Sequence, residues 1–218
     1  MSQFDWKGYI RNLEEIPSLK EQWEKDFVEV LENIRKKIEK TRILEVGCSN
    51  GRWLRWFFKH YQCETHGIDL EGEGFVGTDS IKSFIKGDAQ VLPYKDGAFD
   101  LVFSMGLIEH FKKNERHRIL EEQNRVLSKG GLLVCIVPNL HISLEYFRVK
   151  VFYDGLRGYN HYVVRKEELE QIFQELGLKI IYFDFIGIFR KFAFLKSLKR
   201  TELFKVVLSD NMLCICKK

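Results

Sequence analysis

Three carboxylates, Glu45, Asp69 and Asp88, stand where successive strand-to-loop turns would hold them around one ligand. Glu45 lies two residues before Gly47 in the run Ile43-Leu44-Glu45-Val46-Gly47-Cys48-Ser49-Asn50-Gly51. A glycine at 47 lets the chain turn sharply and lets the backbone approach a ligand with no Cβ in the way. Gly51 opens a helix whose first amides are unpaired and point at that ligand. Two glycines four apart do not make the G-x-G-x-x-G pattern that seats a pyrophosphate. An acid beside the turn repels phosphate and suits a cationic amino group. Asp69 ends Gly67-Ile68-Asp69-Leu70, about 20 residues past the loop, where a carboxylate can accept both hydroxyls of a ribose. Asp88, in Gly87-Asp88-Ala89, can accept a hydrogen bond from the exocyclic amine of adenine. Together they describe a nucleoside-shaped slot with a cationic end.

Positioning these groups takes a parallel sheet covered by helices. Short apolar runs read as strands at Ile43–Val46, Thr65–Leu70, Ser83–Lys86, Phe99–Ser104, Leu132–Val137, Leu178–Phe185 and Met212–Cys216. Helices are expected at Arg52–Tyr61, at Asn114–Ser128 with a stop at Gly130-Gly131, and at Arg165–Leu176 before Gly177. Strands alternating with helices define an α/β, doubly wound fold whose ligands bind at the carboxyl ends of the strands. Trp23, Phe27, Leu31, Ile34 and Ile38 make one face of a further helix over Leu19–Lys40. Residues 1–40 are therefore expected to form an N-terminal helical extension to a ligand-binding domain at 41–218, with an insertion at 139–162. Trp53, Trp56 and Phe57 read as core.

The motifs ILEVGCSNGR, GIDL, KGDAQVLPYKDGAFDLVFSMGLIEHF and LSKGGLLVCIVPN, spread over Ile43 to Asn139, resemble those of the class I S-adenosylmethionine-dependent methyltransferases, in the branch of small-molecule and quinone methylases. That resemblance implies S-adenosylmethionine as cofactor and a Rossmann-like, seven-stranded sheet whose last strand is antiparallel, a place that Met212–Cys216 fits. It also implies roles. Glu45 and Gly47, with Gly51 behind them, would face the amino-acid end of the cofactor. Asp69 would hold the ribose and Leu70 would pack beside the adenine. Asp88 and Ala89 would contact the adenine amine and ring, and Ser104 and Met105 would lie under the methionine part with His110 nearby. His110, which follows Glu109 in a short helical turn, could instead serve only as a cap. The sequence departs from the family between the second and third strands, where Glu71–Lys82 holds three glycines and disfavours the usual full helix.

The methyl acceptor is expected at the insertion Leu140–Tyr162, rich in aromatic residues with Arg148, Lys150 and Arg157. His161 is the candidate general base and Tyr162 the second choice, because they precede the helix at Arg165. A small-molecule or lipid-like acceptor follows. Residues 188–207 carry an apolar stripe of Phe189, Phe192, Leu195 and Leu198 amid basic residues; this is either a helix covering the sheet or a peripheral membrane contact. The net charge of +4, and the lack of an Asn/Asp-Pro-Pro-Tyr-type element, argue against nucleic acid as the partner. An N-terminus with acids and no apolar run, no span of about 18 apolar residues, and five cysteines read as reduced buried thiols point to a cytoplasmic protein. No metal site is expected. A nicotinamide-dependent oxidoreductase is opposed by Glu45 and the missing third glycine, and a non-catalytic S-adenosylmethionine-binding regulatory module by the intact acids.

Overall fold

Alternation along the strands sorts the apolar residues into two layers. In β1 (Arg42–Val46), Leu44 and Val46 enter one core cluster and Ile43 the other. Glu45, two residues from Ile43, therefore shares the second face. In β4 (Phe99–Met105), Val102 joins the first cluster, and Leu101 and Phe103 the second. The computed structural model describes residues 19, 21–34, 41–71, 81–139, 161–188 and 209–218. Expectations for residues 1–18, for residue 20 and residues 35–40 of the helix expected over Leu19–Lys40, with Ile38, for 72–80, for 140–160 within the insertion and for 189–208 lie outside the described residues.

The remaining strands are β2 (Glu64–Asp69), β3 (Ser83–Lys86), β5 (Leu127–Pro138), β6 (Lys179–Ile188) and β7 (Ser209–Lys217). They form one seven-stranded sheet in the order β3-β2-β1-β4-β5-β7-β6. All pairs are parallel except those of β7, which runs antiparallel to both β5 and β6. From β1 the chain winds outward to β2 and β3, then returns to add β4 on the other side. The crevice beyond the carboxyl ends of β1 and β4 is thus the ligand position of a doubly wound sheet.

Helices α1 (Gln22–Ile34) and α2 (Arg52–Tyr61) cover the second face. Phe27 of α1 packs edge-on to Trp53 and Phe57 of α2, at 5.4 and 6.5 Å between ring centres. The tryptophans and Phe57 are buried, as core residues should be. The N-terminal half of α1 is tied down at two points: Glu24 pairs with Arg52 at the start of α2, and Asp26 Oδ2 accepts from the Gly187 amide of β6 at 3.0 Å. Helices α3 (Lys113–Val126) and α4 (Lys166–Glu175) cover the first face through Ile119, Leu120, Leu169, Ile172 and Phe173. Buried Arg116 joins them, donating to Glu168 Oε1 at 2.6 Å and to the Phe111 carbonyl at 2.9 Å.

Two expectations are corrected. The third helix ends at Val126 rather than Ser128, and Gly130-Gly131 lies inside β5 rather than in a loop. Leu127 is already extended and pairs with Phe99; the register then slips before Leu101 meets Leu132. The residues between are absorbed as a bulge, in which the Gly130 amide donates to the Lys218 carbonyl at 3.0 Å. Strands β6 and β7 are also longer than their apolar runs, because each supplies the other's ladder out to Ile188 and Ser209. All five cysteines are buried and free, with the Cys214 and Cys216 sulfurs 3.8 Å apart. Among the described residues, no helix is long and apolar enough to cross a membrane.

Gly67 in β2 lets the sheet lie close to the loop after β1 and to α2. A Cβ there would lie 2.7 Å from both Cys48 Sγ and Leu54 Cδ1. Gly67→Ala is therefore expected to cost about 1–3 kcal/mol of stability, as overpacking does. Urea unfolding measures this, and an unchanged midpoint would show that Cys48 and Leu54 yield freely.

Candidate active site

The loop after β1 is built by backbone bonds to the neighbouring strand. Gly47 and Cys48 donate to the Ile68 carbonyl at 2.8 and 3.2 Å, turning the chain over the end of β2. Gly47 adopts φ +76°, and a Cβ on it would stand 2.8 Å from Leu107 Cδ1. Leu107, beyond β4, thus packs directly on the glycine turn, so the loops of β1 and β4 form one surface. Gly51 closes the turn, its amide donating to the Cys48 carbonyl at 2.8 Å, immediately before α2.

Asp69 is fixed by this loop. Its Oδ2 accepts from the Ser49 amide at 2.7 Å and its Oδ1 from the Glu71 amide at 3.0 Å. Both oxygens are held in place, and each keeps lone pairs for a further donor. Ser49 carries φ +48° to make that bond; no feature of the sequence marked it. Glu45 is buried, and its Oε2 has no hydrogen-bond partner among the described residues. Burial, reinforced by the negative charge of Asp69, holds its carboxyl well above the usual carboxylate range, against the opposing pull of Arg52 and Arg55. A buried carboxyl oxygen without a partner is costly unless a ligand supplies a donor.

Asp88 is exposed, and its Oδ1 accepts from the Gln90 amide at 2.8 Å in an Asx turn. Ala89 packs against the first core cluster. Leu70 is 66% exposed and Val91 72%, so two bare apolar side chains follow β2 and β3. Leu70 was expected to serve a flat base; Val91 was overlooked, because nothing but its place after Asp88 distinguishes it. Ser104 lies inside the sheet opposite Cys135 and is buried, while Met105, the last residue of β4, is half-buried.

A short 3-10 turn, Ile108–His110, follows Leu107. The chain just before α4 docks on it: the Tyr162 amide donates to the Glu109 carbonyl at 2.7 Å. This brings His161 against His110, with ring centres 4.5 Å apart. Glu109, which sequence reading did not single out, places a buried carboxyl beneath the pair; its Oε1 is 3.9 Å from His110 Nε2. The structure thus gathers Glu45, Gly47, Gly51 and Asp69 around one loop, sets Asp88 and Ala89 at the end of β3, and joins His110 to His161.

These residues fit a nucleoside with a cationic tail: an orphaned carboxyl oxygen at Glu45, a glycine turn, and an anchored carboxylate at Asp69. Comparison with known proteins agrees. Residues 44–135 match the family model described as methyltransferase domain. The chain is 31% identical over 167 residues to the demethylmenaquinone methyltransferase of Staphylococcus aureus (strain Newman), covering 63% of this chain and 67% of that protein. It is 34% identical over 112 residues to the ajmaline N-methyltransferase of Rauvolfia serpentina, covering 47% of this chain but only 38% of that relative. A solved S-adenosylmethionine-dependent methyltransferase from Mesorhizobium loti superposes with a TM-score of 0.67 at 16% identity, over 87% of this chain and 96% of that one. The chain belongs to the class I S-adenosylmethionine-dependent methyltransferases.

Proposed function

We propose that this enzyme moves a methyl group from S-adenosylmethionine to a small-molecule or lipid-like acceptor bound beside His110 and His161. The observation that carries the reading is the meeting of the two sites through Leu107. It touches the glycine turn of β1 on one side and leads into the His110 turn on the other. In this reading Glu45 takes the amino group of the cofactor, with Gly47 and Gly51 giving the backbone close approach. Asp69 takes the ribose hydroxyls, Asp88 the adenine amine, and Leu70 and Ala89 the faces of the ring. Ser104 and Met105 close the strand end beneath the methionine portion.

The bound cofactor supplies a methyl on a sulfonium, which departs as a neutral thioether. The chain's own work is to align the acceptor with that carbon and keep water out. In this reading, where the attacking atom carries a proton, His161 takes it, with Tyr162 the second choice. The names of two relatives, a demethylmenaquinone methyltransferase and an ajmaline N-methyltransferase, support a small-molecule acceptor. A peripheral membrane contact through 188–207 would suit a lipid-like one; co-sedimentation with anionic vesicles at low salt tests it.

The decisive experiment has two stages. S-adenosylhomocysteine at about a hundred times its dissociation constant should stabilise the fold by about 2.7 kcal/mol, and NAD should not. Transfer of labelled methyl is then measured with a naphthoquinol and with a secondary amine. His161→Ala should flatten the pH profile of the acceptor that loses a proton while leaving the melting shift intact. Unchanged turnover and an unchanged profile would remove His161 from the mechanism.

A further inference from the structure

The loop that carries Asp88 and Ala89 is held from behind by two side chains of α3, Arg125 and Glu122. Between Gly87 and Ala98 the chain forms no strand; its internal backbone bonds are short, Val91 to Asp88 at 3.1 Å and Tyr94 to Leu92 at 2.8 Å, and its start is tied to β2 by the Gly87 amide on the Asp69 carbonyl at 2.9 Å. Arg125, in the last turn of α3, spreads its guanidinium across this loop. Nη2 donates to the Leu92 carbonyl at 2.9 Å, and Nη1 to the Tyr94 carbonyl at 2.8 Å and to Asp96 Oδ1 at 2.7 Å. Its remaining donors go to Glu122, from Nε to Oε1 at 2.6 Å and from Nη2 to Oε2 at 2.8 Å. Glu122 Oε2 in turn accepts from the Leu92 amide at 2.7 Å. The Arg125 carbonyl takes the Gly97 amide at 3.1 Å. All five donors of the guanidinium are used, in a planar fork that no lysine can reproduce.

We infer that Arg125, oriented by Glu122, is a positioning residue for purine recognition: it sets where Asp88 stands, and hence how strictly the site demands the exocyclic amine of adenine. Buried Leu92 and half-buried Ala89 anchor the loop on the core. Its exposed rim, with Asp88 and Val91, has no ladder partner, so the fork is the main polar restraint on its downstream arm. The inference rests on Asp88 as the acceptor for the adenine amine. A hypoxanthine ring presents an oxygen there instead, which a carboxylate repels.

Calorimetric binding of S-adenosylhomocysteine and of its deaminated analogue S-inosylhomocysteine separates the two ideas. The native protein should prefer the adenosine form by about tenfold, roughly the worth of one hydrogen bond. Arg125→Lys, Arg125→Gln and the milder Glu122→Gln should each weaken the adenosine form by about tenfold and the inosine form by less than twofold, bringing the preference close to one. A general loss of packing would weaken both ligands alike, and that result overturns the inference. So does a preference retained in all three folded variants, which leaves Asp88 as the reader and Arg125 as mere scaffolding. A native protein with no preference overturns the reading of Asp88 itself, and the inference with it.

Discussion

Glu45→Gln is expected to weaken S-adenosylhomocysteine binding by about ten- to a hundredfold, the range for losing a hydrogen bond to a charged group, and to abolish the proton release that accompanies binding. In the ligand-free protein, burial and the neighbouring Asp69 keep the Glu45 carboxyl in its protonated form well above the usual range. An ammonium group placed against the orphaned Oε2 favours the carboxylate, so binding must expel a proton. Affinity should therefore rise with pH, by at most about tenfold per unit, until the free carboxyl ionises unaided. Glutamine keeps the shape and the hydrogen-bonding capacity but cannot ionise. Titration in phosphate and in Tris, whose ionisation enthalpies differ, reads the released proton directly as a buffer-dependent heat. The native protein should show that dependence and the variant should not. Equal affinities together with equal buffer dependence would mean that Glu45 does not meet the ammonium.

Residues that act through their own strand or turn were legible in the sequence, and residues that act across the fold were not. Helix α2 spans Arg52–Tyr61 as its apolar spacing and Gly51 foretold, and β3 spans Ser83–Lys86. The seven-stranded order with an antiparallel β7 follows the family resemblance. Glu45, Gly47 and Asp69 could be read because each sits at the end of a strand, where a parallel sheet must present it. By contrast, the seating of Leu107 on Gly47 joins residues 60 positions apart and depends on a φ that only folding reveals. The Arg125 fork reaches back to Leu92, Tyr94 and Asp96, and on a helix surface a lone arginine looks like any solvated charge. Gly130-Gly131 misled for a related reason: two glycines signal a helix stop equally well whether the chain then loops out or, as here, bulges within a strand. Glu109 escaped notice because its neighbour His110 is the residue type that draws attention, whereas burial is a property of the fold.

Glu109 also makes the second large prediction. Its carboxyl lies beneath the 3-10 turn, 2% exposed, with Oε2 lacking a partner among the described residues. The groups facing it are His110 on its own turn, Arg116 on α3 and Cys135 on β5. Burial dominates and pushes the carboxyl up to about 8; Arg116 and a backbone bond only partly offset it. A carboxyl raised above its unfolded value of 4.5 keeps its proton in the fold at pH values where the unfolded chain has lost it. It therefore favours the fold at low pH, and that advantage is lost as pH climbs from about 4.5 to about 8. At roughly 1.36 kcal/mol per unit, the loss approaches about 5 kcal/mol. Glu109→Gln carries no titrating group. The stability of the native protein relative to this variant should therefore fall by about 4 kcal/mol between pH 5 and pH 9, the rest of the loss lying below pH 5, as measured by urea unfolding at several pH values. Comparison within one background cancels every other titrating group, Glu45 included. A difference that stays constant across the range would show that the Glu109 carboxyl is already ionised beside Arg116. The His110–His161 pair would then stand over a fixed negative charge rather than a neutral acid, and the proton transfer proposed for His161 would have to be explained by that charge.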